Sequence, residues 1–266
     1  MPKQGGILSW TKAGDMSDEL VKLKVLLYGN SGTGKTHCAS TAPSPCFLLT
    51  EPNGLPTIRA ANPSAFVIQA DEENGGLAVV REFLMAARSG ELAEQTGCKT
   101  VVIDSLNELQ RMIRDDIAKG KKGAGTSGSF TLQDWGMLTD KMRGLVRAFR
   151  DLPFHVIGIT HASADFNETT GLRYVQPMFQ GKSLPNEIAG YFSAVGMMYR
   201  EHESLDGDKV QVNHHVLFEG PEHVVCKVLP GLDSIEKPNV SEWLKKIMAS
   251  SSDGSPRVAS TLHPTA

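Results

Sequence analysis

Apolar residues along this chain follow two rhythms, and the places where one replaces the other outline a fold. Short unbroken runs come first. Val25-Leu26-Leu27-Tyr28 ends on Gly29, Cys46-Phe47-Leu48-Leu49 follows, and Phe66-Val67-Ile68 is a third. Runs of that length predict strands. Leu77, Val80, Phe83, Leu84 and Ala87 instead recur at helical spacing. Thr100-Val101-Val102-Ile103 is β-branched throughout, as suits a central parallel strand covered on both faces. Leu106, Leu109, Ile113 and Ile117 predict the next helix. A longer one opens at Thr131, with Leu132, Trp135, Leu138, Met142, Leu145, Val146 and Phe149 on its stripe. His155-Val156-Ile157-Gly158-Ile159-Thr160 is the following core strand, and Gly120 to Ser129, with no period, predicts a Gly/Lys/Ser loop. Strand alternating with helix implies an α/β fold, a mainly parallel sheet flanked by helices.

After His161 the rhythm changes. Residues 172–178, 194–201, 210–218 and 224–229 predict shorter strands joined by turns, with Asp206-Gly207 as a hairpin signal. The expectation is a parallel core running into an antiparallel C-terminal β extension. Val240 to Met248 predicts a last helix. Residues 1–20 read as a loose lead-in with Trp10 as a packing anchor, residues 21–249 as one α/β domain, and residues 250–266 as a disordered tail poor in large apolar groups.

Composition narrows this picture only modestly. At 266 residues, 40% hydrophobic and 21% charged, the chain can bury one sizeable core. A net charge of -3 excludes a globally basic nucleic-acid coat while leaving room for a local basic strip. No apolar run approaches the roughly 18 residues of a membrane helix. Met1-Pro2-Lys3-Gln4-Gly5-Gly6 lacks the apolar core of a signal peptide. Cys38, Cys46, Cys98 and Cys226 form no CxxC pair, which predicts free thiols rather than a disulfide frame or zinc site. A cytoplasmic protein without membrane attachment is the expectation.

The strongest chemical signal is Gly29-Asn30-Ser31-Gly32-Thr33-Gly34-Lys35-Thr36, which fits G-x-x-x-x-G-K-[ST] between an apolar strand and a helix. Glycines let the backbone wrap a phosphate with its N–H groups, and the following helix turns its positive end to the same anion. Lys35 would neutralise the β- and γ-phosphates of ATP and the Thr36 hydroxyl would ligate Mg²⁺. No guanine-reading N-K-x-D motif is present, which leaves ATP as the default nucleotide. Asp104, closing a buried strand, is the candidate second metal residue; capping the helix at Leu106 is its plainer alternative. Many such sites place a Glu directly after that Asp, but here the position is Ser105. Glu51, at the end of the strand after the P-loop helix, would face the same rim and serve as general base, or else be an ordinary turn residue before Pro52-Asn53-Gly54. His161 ends the next core strand, where it is a candidate γ-phosphate sensor or a satisfied structural histidine. His214, His215 and His223 lack metal-ligand spacing and predict an exposed hairpin.

The set Gly29–Thr36, Glu51, Asp104-Ser105 and Val156 to His161 resembles the RecA-like recombinase core, and within it the small phage-encoded RecA-like ATPases of single-strand annealing. The resemblance spans roughly residues 20 to 230. It implies that Glu51 polarises the attacking water and that His161, where larger recombinases usually carry Gln, couples γ-phosphate to a DNA-binding loop. It also implies rings or filaments with ATP at subunit interfaces, where a neighbour supplies a cation. Lys227, on a predicted strand late in the chain, is the candidate finger; a surface lysine guarding an edge strand is the alternative. Lys119, Lys121 and Lys122 in a basic loop, and Arg173, Tyr174 and Lys182 after the sensor strand, are the candidate nucleic-acid contacts.

The function so implied is an ATP-dependent, oligomeric single-stranded-DNA-binding protein of phage-type recombination or annealing, acting in a bacterial host's cytoplasm, with a single-strand-binding protein as a further partner. Two other readings stay open. One is a replisome-associated P-loop ATPase, a helicase or motor accessory. The other is an annealing scaffold whose nucleotide site regulates assembly with little turnover.

Overall fold

In a computed structural model, residues 22–122, 130–166, 171, 173–204 and 210–253 are described. The first half runs β1 (Lys24–Gly29), α1 (Lys35–Ser40), β2 (Pro45–Leu49), α2 (Leu55–Ala61), β3 (Phe66–Gln69), α3 (Leu77–Ser89), α4 (Glu91–Thr96), β4 (Thr100–Asp104) and α5 (Leu106–Lys122). The second runs α6 (Leu132–Arg150), β5 (His155–Phe166), β6 (Arg173–Pro177), α7 (Leu184–Tyr191), β7 (Ala194–Ser204), β8 (Val210–Leu217), β9 (Ile235–Glu236) and α8 (Val240–Asp253). The strands order as β3-β2-β4-β5-β1-β7-β8-β9, with β6 paired to β5. From β3 to β7 all neighbours are parallel, whereas β8, β9 and β6 join antiparallel. The parallel sheet flanked by helices and its antiparallel C-terminal extension are therefore as expected.

The unbroken apolar runs have a simple cause. Successive strand side chains point to opposite faces, and helices cover both faces of this sheet. On β1, Leu26 and Tyr28 pack into a core with Leu106, Leu138 and Phe149, whereas Val25 and Leu27 pack into a second core with Cys38, Phe218 and Trp243. Gly158 on β5 is a point of close packing: a Cβ there would lie 2.9 Å from Leu106 Cδ1 and 3.0 Å from Phe192 Cζ. The helix from Thr131 starts with a reciprocal cap, the Thr131 hydroxyl and Asp134 carboxylate each satisfying the other's backbone N–H.

Several expectations need correction. α5 continues through Lys119 to Lys122, so the basic segment begins as the end of a helix rather than as a loop. A single glycine costs a helix only about 1 kcal/mol, which the buried Leu109, Ile113 and Ile117 stripe outweighs. Residues 224–229 form no strand but two isolated bridges, Val224 to Val175 and Lys227 to Val195. β8 already takes the free edge of β7 from Met197 onward, which leaves little for them to pair with. The helices α2, α4 and α7 lacked a readable period because each offers only two turns or so. α8 runs on to Asp253, into the expected tail, whereas the lead-in 1–20 with Trp10, the segment 123–129, the Asp206-Gly207 turn and residues 254–266 lie outside the described residues.

β1 stops at Gly29, while its two neighbours run on to Phe166 and Ser204. Two antiparallel hairpins, β5–β6 and β7–β8, thus rise from the rim where the parallel strands end. That rim carries the site.

Candidate active site

The turn from β1 to α1 needs its glycines for specific reasons. Gly32 and Gly34 adopt φ 77° and 88°, the left-handed region. A Cβ on Gly29 would strike the Met198 backbone carbonyl. Lys35 is buried at 8% exposure and its ammonium donates to the carbonyls of Gly29 at 2.9 Å and Asn30 at 2.8 Å. An ammonium has three donors, so one is left to reach into the crevice. Burial lowers the Lys35 pKa, against the opposing pull of Asp104 and Glu51.

Because β5 lies between β1 and β4, the parallel register brings Gly29, His161 and Asp104 to one rim. The Thr36 hydroxyl donates to Asp104 Oδ2 at 2.8 Å. Burial pushes the Asp104 carboxyl up to about 6, with Glu51 adding to the rise and Thr36 and Lys35 opposing it. Ser105, not Asp104, immediately precedes α5, where its Oγ accepts from the Glu108 N–H at 3.4 Å. Capping therefore falls to Ser105, and Asp104 is left facing Thr36.

Glu51 follows β2 on the same rim. Its Oε1 accepts the Ser105 hydroxyl at 2.6 Å. The two strand tips are laced together behind it. Thr50 N–H donates to the Asp104 carbonyl at 2.9 Å, the Thr50 hydroxyl donates to the Ser105 carbonyl at 2.9 Å, and the Ser105 N–H donates to Thr50 Oγ1 at 2.8 Å. Lys35, Thr36, Glu51, Asp104, Ser105 and His161 all line one cavity of about 380 Å³ together with Ser31, Gly32 and Gly34 of the turn. The sequence signal for Ser105 was present, in the pair Asp104-Ser105, but its service to Glu51 depends on the neighbouring strand.

His161 reaches this cavity from β5, and burial, then Lys35, lowers its imidazole pKa, which favours the neutral ring. A link behind it went unread in the sequence. Asn107 Oδ1 accepts both the His161 N–H at 2.6 Å and the Thr160 hydroxyl at 2.7 Å, while its amide donates to the Met178 carbonyl at 2.5 Å. Asn107 thereby ties the tip of β5 to α5 and to the turn after β6.

His214 was also misread as part of an exposed hairpin. Its Nδ1 lies 2.9 Å from the Thr33 carbonyl, and since a carbonyl only accepts, that nitrogen carries the proton. His214 rests on the outer wall of the P-loop, beside Gly34. His215 instead stacks on Tyr199. Among the described residues no group of three or more His, Cys, Asp and Glu side chains could hold a metal.

Other predicted residues lie elsewhere. Lys227 is absent from the cavity lining, and its ammonium donates to the Phe192 carbonyl at 2.8 Å, by the start of β7. Lys119 pairs at 3.3 Å with Glu72, in the turn after β3. The Lys121 and Lys122 side chains lie outside the described residues. Arg173 and Val175 line a second cavity, and Tyr174, between them on β6, does not. Lys182 is exposed in the turn before α7. The four cysteines are free, and among the described residues no helix is long and apolar enough to cross a membrane.

Residues 21–227 match the protein family described as "AAA domain". No curated protein is similar in sequence. The solved structure of the flagellar accessory protein FlaH from Methanocaldococcus jannaschii is similar over 73% of this chain and 76% of that one, at 10% identity and a TM-score of 0.34.

Proposed function

Since this chain belongs to the AAA domain family and carries a P-loop ATPase domain, we propose that it hydrolyses ATP to ADP and phosphate in the crevice between the P-loop and Glu51. The observation that carries this reading is the convergence of Lys35, the Thr36–Asp104 pair and Glu51 on one cavity. Backbone N–H groups of the turn and the free donor of Lys35 bind and orient the phosphates. Glu51, aimed by Ser105, takes the proton of the attacking water. His161 contacts the terminal phosphate and passes its presence through Asn107 to the turn after β6.

Thr36 and Asp104 are hard oxygen donors within hydrogen-bond distance of each other, a set that fits Mg²⁺ completed by phosphate oxygens and water. Burial already disfavours the bare Asp104 carboxylate, so a cation there meets an unmet charge. When bound, Mg²⁺ neutralises charge developing on the transferred phosphoryl group.

The finer reading is an oligomeric, single-stranded-DNA-binding ATPase of recombination or annealing. It is supported by the Glu51 and Asp104-Ser105 pattern and by the β5–β6 hairpin continuing directly from the sensor strand. Phosphate release is the test, with Mg²⁺ or EDTA and with oligo-dT titrated in. Wild type is expected to turn over ATP only with Mg²⁺ and faster with oligo-dT. Lys35→Ala and Glu51→Gln are each expected to lose about 10²-fold or more in kcat, Glu51→Gln keeping its nucleotide affinity. Turnover in Glu51→Gln equal to wild type would remove Glu51 as the base.

A further inference from the structure

The P-loop has a second face. Behind it the hairpins β5–β6 and β7–β8 enclose a groove of about 460 Å³ whose floor is Gly29, Asn30 and Thr33. Arg173 enters from one hairpin, Arg200 and His202 from the other, and among the described residues no Asp or Glu lines it. In a chain with 30 acidic against 27 basic residues, that sorting has a structural cause. Alternation along β7 sends Arg200 and His202 into the groove, and Glu201 and Glu203 to the opposite face. There His215 lies 3.4 Å from Glu201, and Asn213 donates to Glu203 at 3.1 Å. Both guanidiniums are exposed, and among the described residues neither forms an ion pair. Tyr199 shares that opposite face, its ring stacked on His215 at 5.4 Å.

We propose that this groove binds the phosphodiester backbone of a single nucleic-acid strand, and that Arg173 and Arg200 pair with its phosphates. The proposal rests on the DNA-binding half of the reading above and names its site. Guanidinium forks match phosphate oxygens. A space of this size admits one strand and leaves a duplex outside its rim.

The placement also supplies coupling. Arg200 Nη1 lies 3.6 Å from where a Cβ on Gly32 would stand, and its cross-strand partner His214 donates to Thr33. One wall therefore separates strand from nucleotide: Gly29, Asn30 and Thr33 face the groove, while Ser31, Gly32, Gly34 and Lys35 face the crevice. Tightening that wall from either side favours binding on the other, and such coupling is reciprocal.

The test is fluorescence anisotropy of labelled oligo-dT on the full chain, over a salt series, with and without a non-hydrolysable ATP analogue and Mg²⁺. Each lost phosphate contact flattens the log–log salt slope by about 0.7 for single strands. The Arg173→Ala/Arg200→Ala double variant is therefore expected to bind at least about tenfold more weakly at low salt, with a slope flatter by about 1.4. The Arg173→Lys/Arg200→Lys pair keeps the charge and restores most of the slope. Arg173→Ala alone loses oligonucleotide affinity and leaves that for a fluorescent ATP analogue unchanged. Wild-type affinity and slope in the double alanine variant would overturn the groove and leave DNA binding to be sited elsewhere. No oligo-dT binding by wild type, in any nucleotide state at low salt, would overturn the groove and the DNA reading together, with hydrolysis untouched. Tighter binding of duplex than of oligo-dT would also overturn it.

Discussion

Without nucleotide or Mg²⁺, replacing Asp104 by Asn is expected to make the protein more stable at pH 8. The side chain sits at 7% exposure, and burial carries its pKa from 3.8 to about 6. That displacement is already net of Thr36 and Lys35, which favour the anion, and of Glu51, which opposes it. Two units correspond to about 3 kcal/mol spent on keeping the folded carboxylate ionised. The sign follows from linkage: a raised folded pKa means the fold prefers the protonated acid. The resulting stability is fully present below the unfolded value of 3.8 and is lost as pH rises through about 6. Asparagine carries no charge at any of these pH values, and its Oδ1 can still accept the Thr36 hydroxyl. The gain should approach about 3 kcal/mol at pH 8 and shrink towards zero near pH 4. Urea denaturation in EDTA at pH 8, 6 and 4.5 measures it directly. Over the same pH range, Mg²⁺-dependent ATP affinity of the wild type should fall as pH drops below about 6. An Asn variant less stable than wild type at pH 8, or a gain independent of pH, would refute the reasoning.

Two more substitutions probe the site and the core. Ser105→Ala removes the 2.6 Å hydrogen bond that aims Glu51. A hydrogen bond to a charged group contributes about 1.5–3 kcal/mol, so steady-state assay should find kcat reduced about 10- to 100-fold with KM within about twofold. A rise in KM without loss of kcat would assign Ser105 to binding. Gly158→Ala inserts a methyl 2.9 Å from Leu106 and 3.0 Å from Phe192. Overpacking of that kind costs about 1–3 kcal/mol, measurable as a lowered urea midpoint with unchanged slope.

Much of the architecture could be read from the chain, because the strongest signals are local. A strand buried on both faces must be apolar throughout, and Val25–Tyr28, Phe47–Leu49 and Val101–Ile103 are. A phosphate-wrapping turn must put glycine at particular steps, and Gly32 and Gly34 occupy left-handed backbone. Short helices and isolated bridges left no such trace. α4 holds six residues, and Val224 and Lys227 pair one residue at a time.

The P-loop, the acidic strand tips and the parallel core were thus dictated by residue type and spacing, since each depends on neighbours in the chain. The hydroxyl that steers Glu51, the Asn107 relay and the resting of His214 on Thr33 arose from pairings between segments far apart in sequence. Hydrogen bonds and charge act over a few ångströms of space, whatever the number of residues between the partners. Which polar groups meet is therefore set by sheet order and register, and these exist only once the chain has folded.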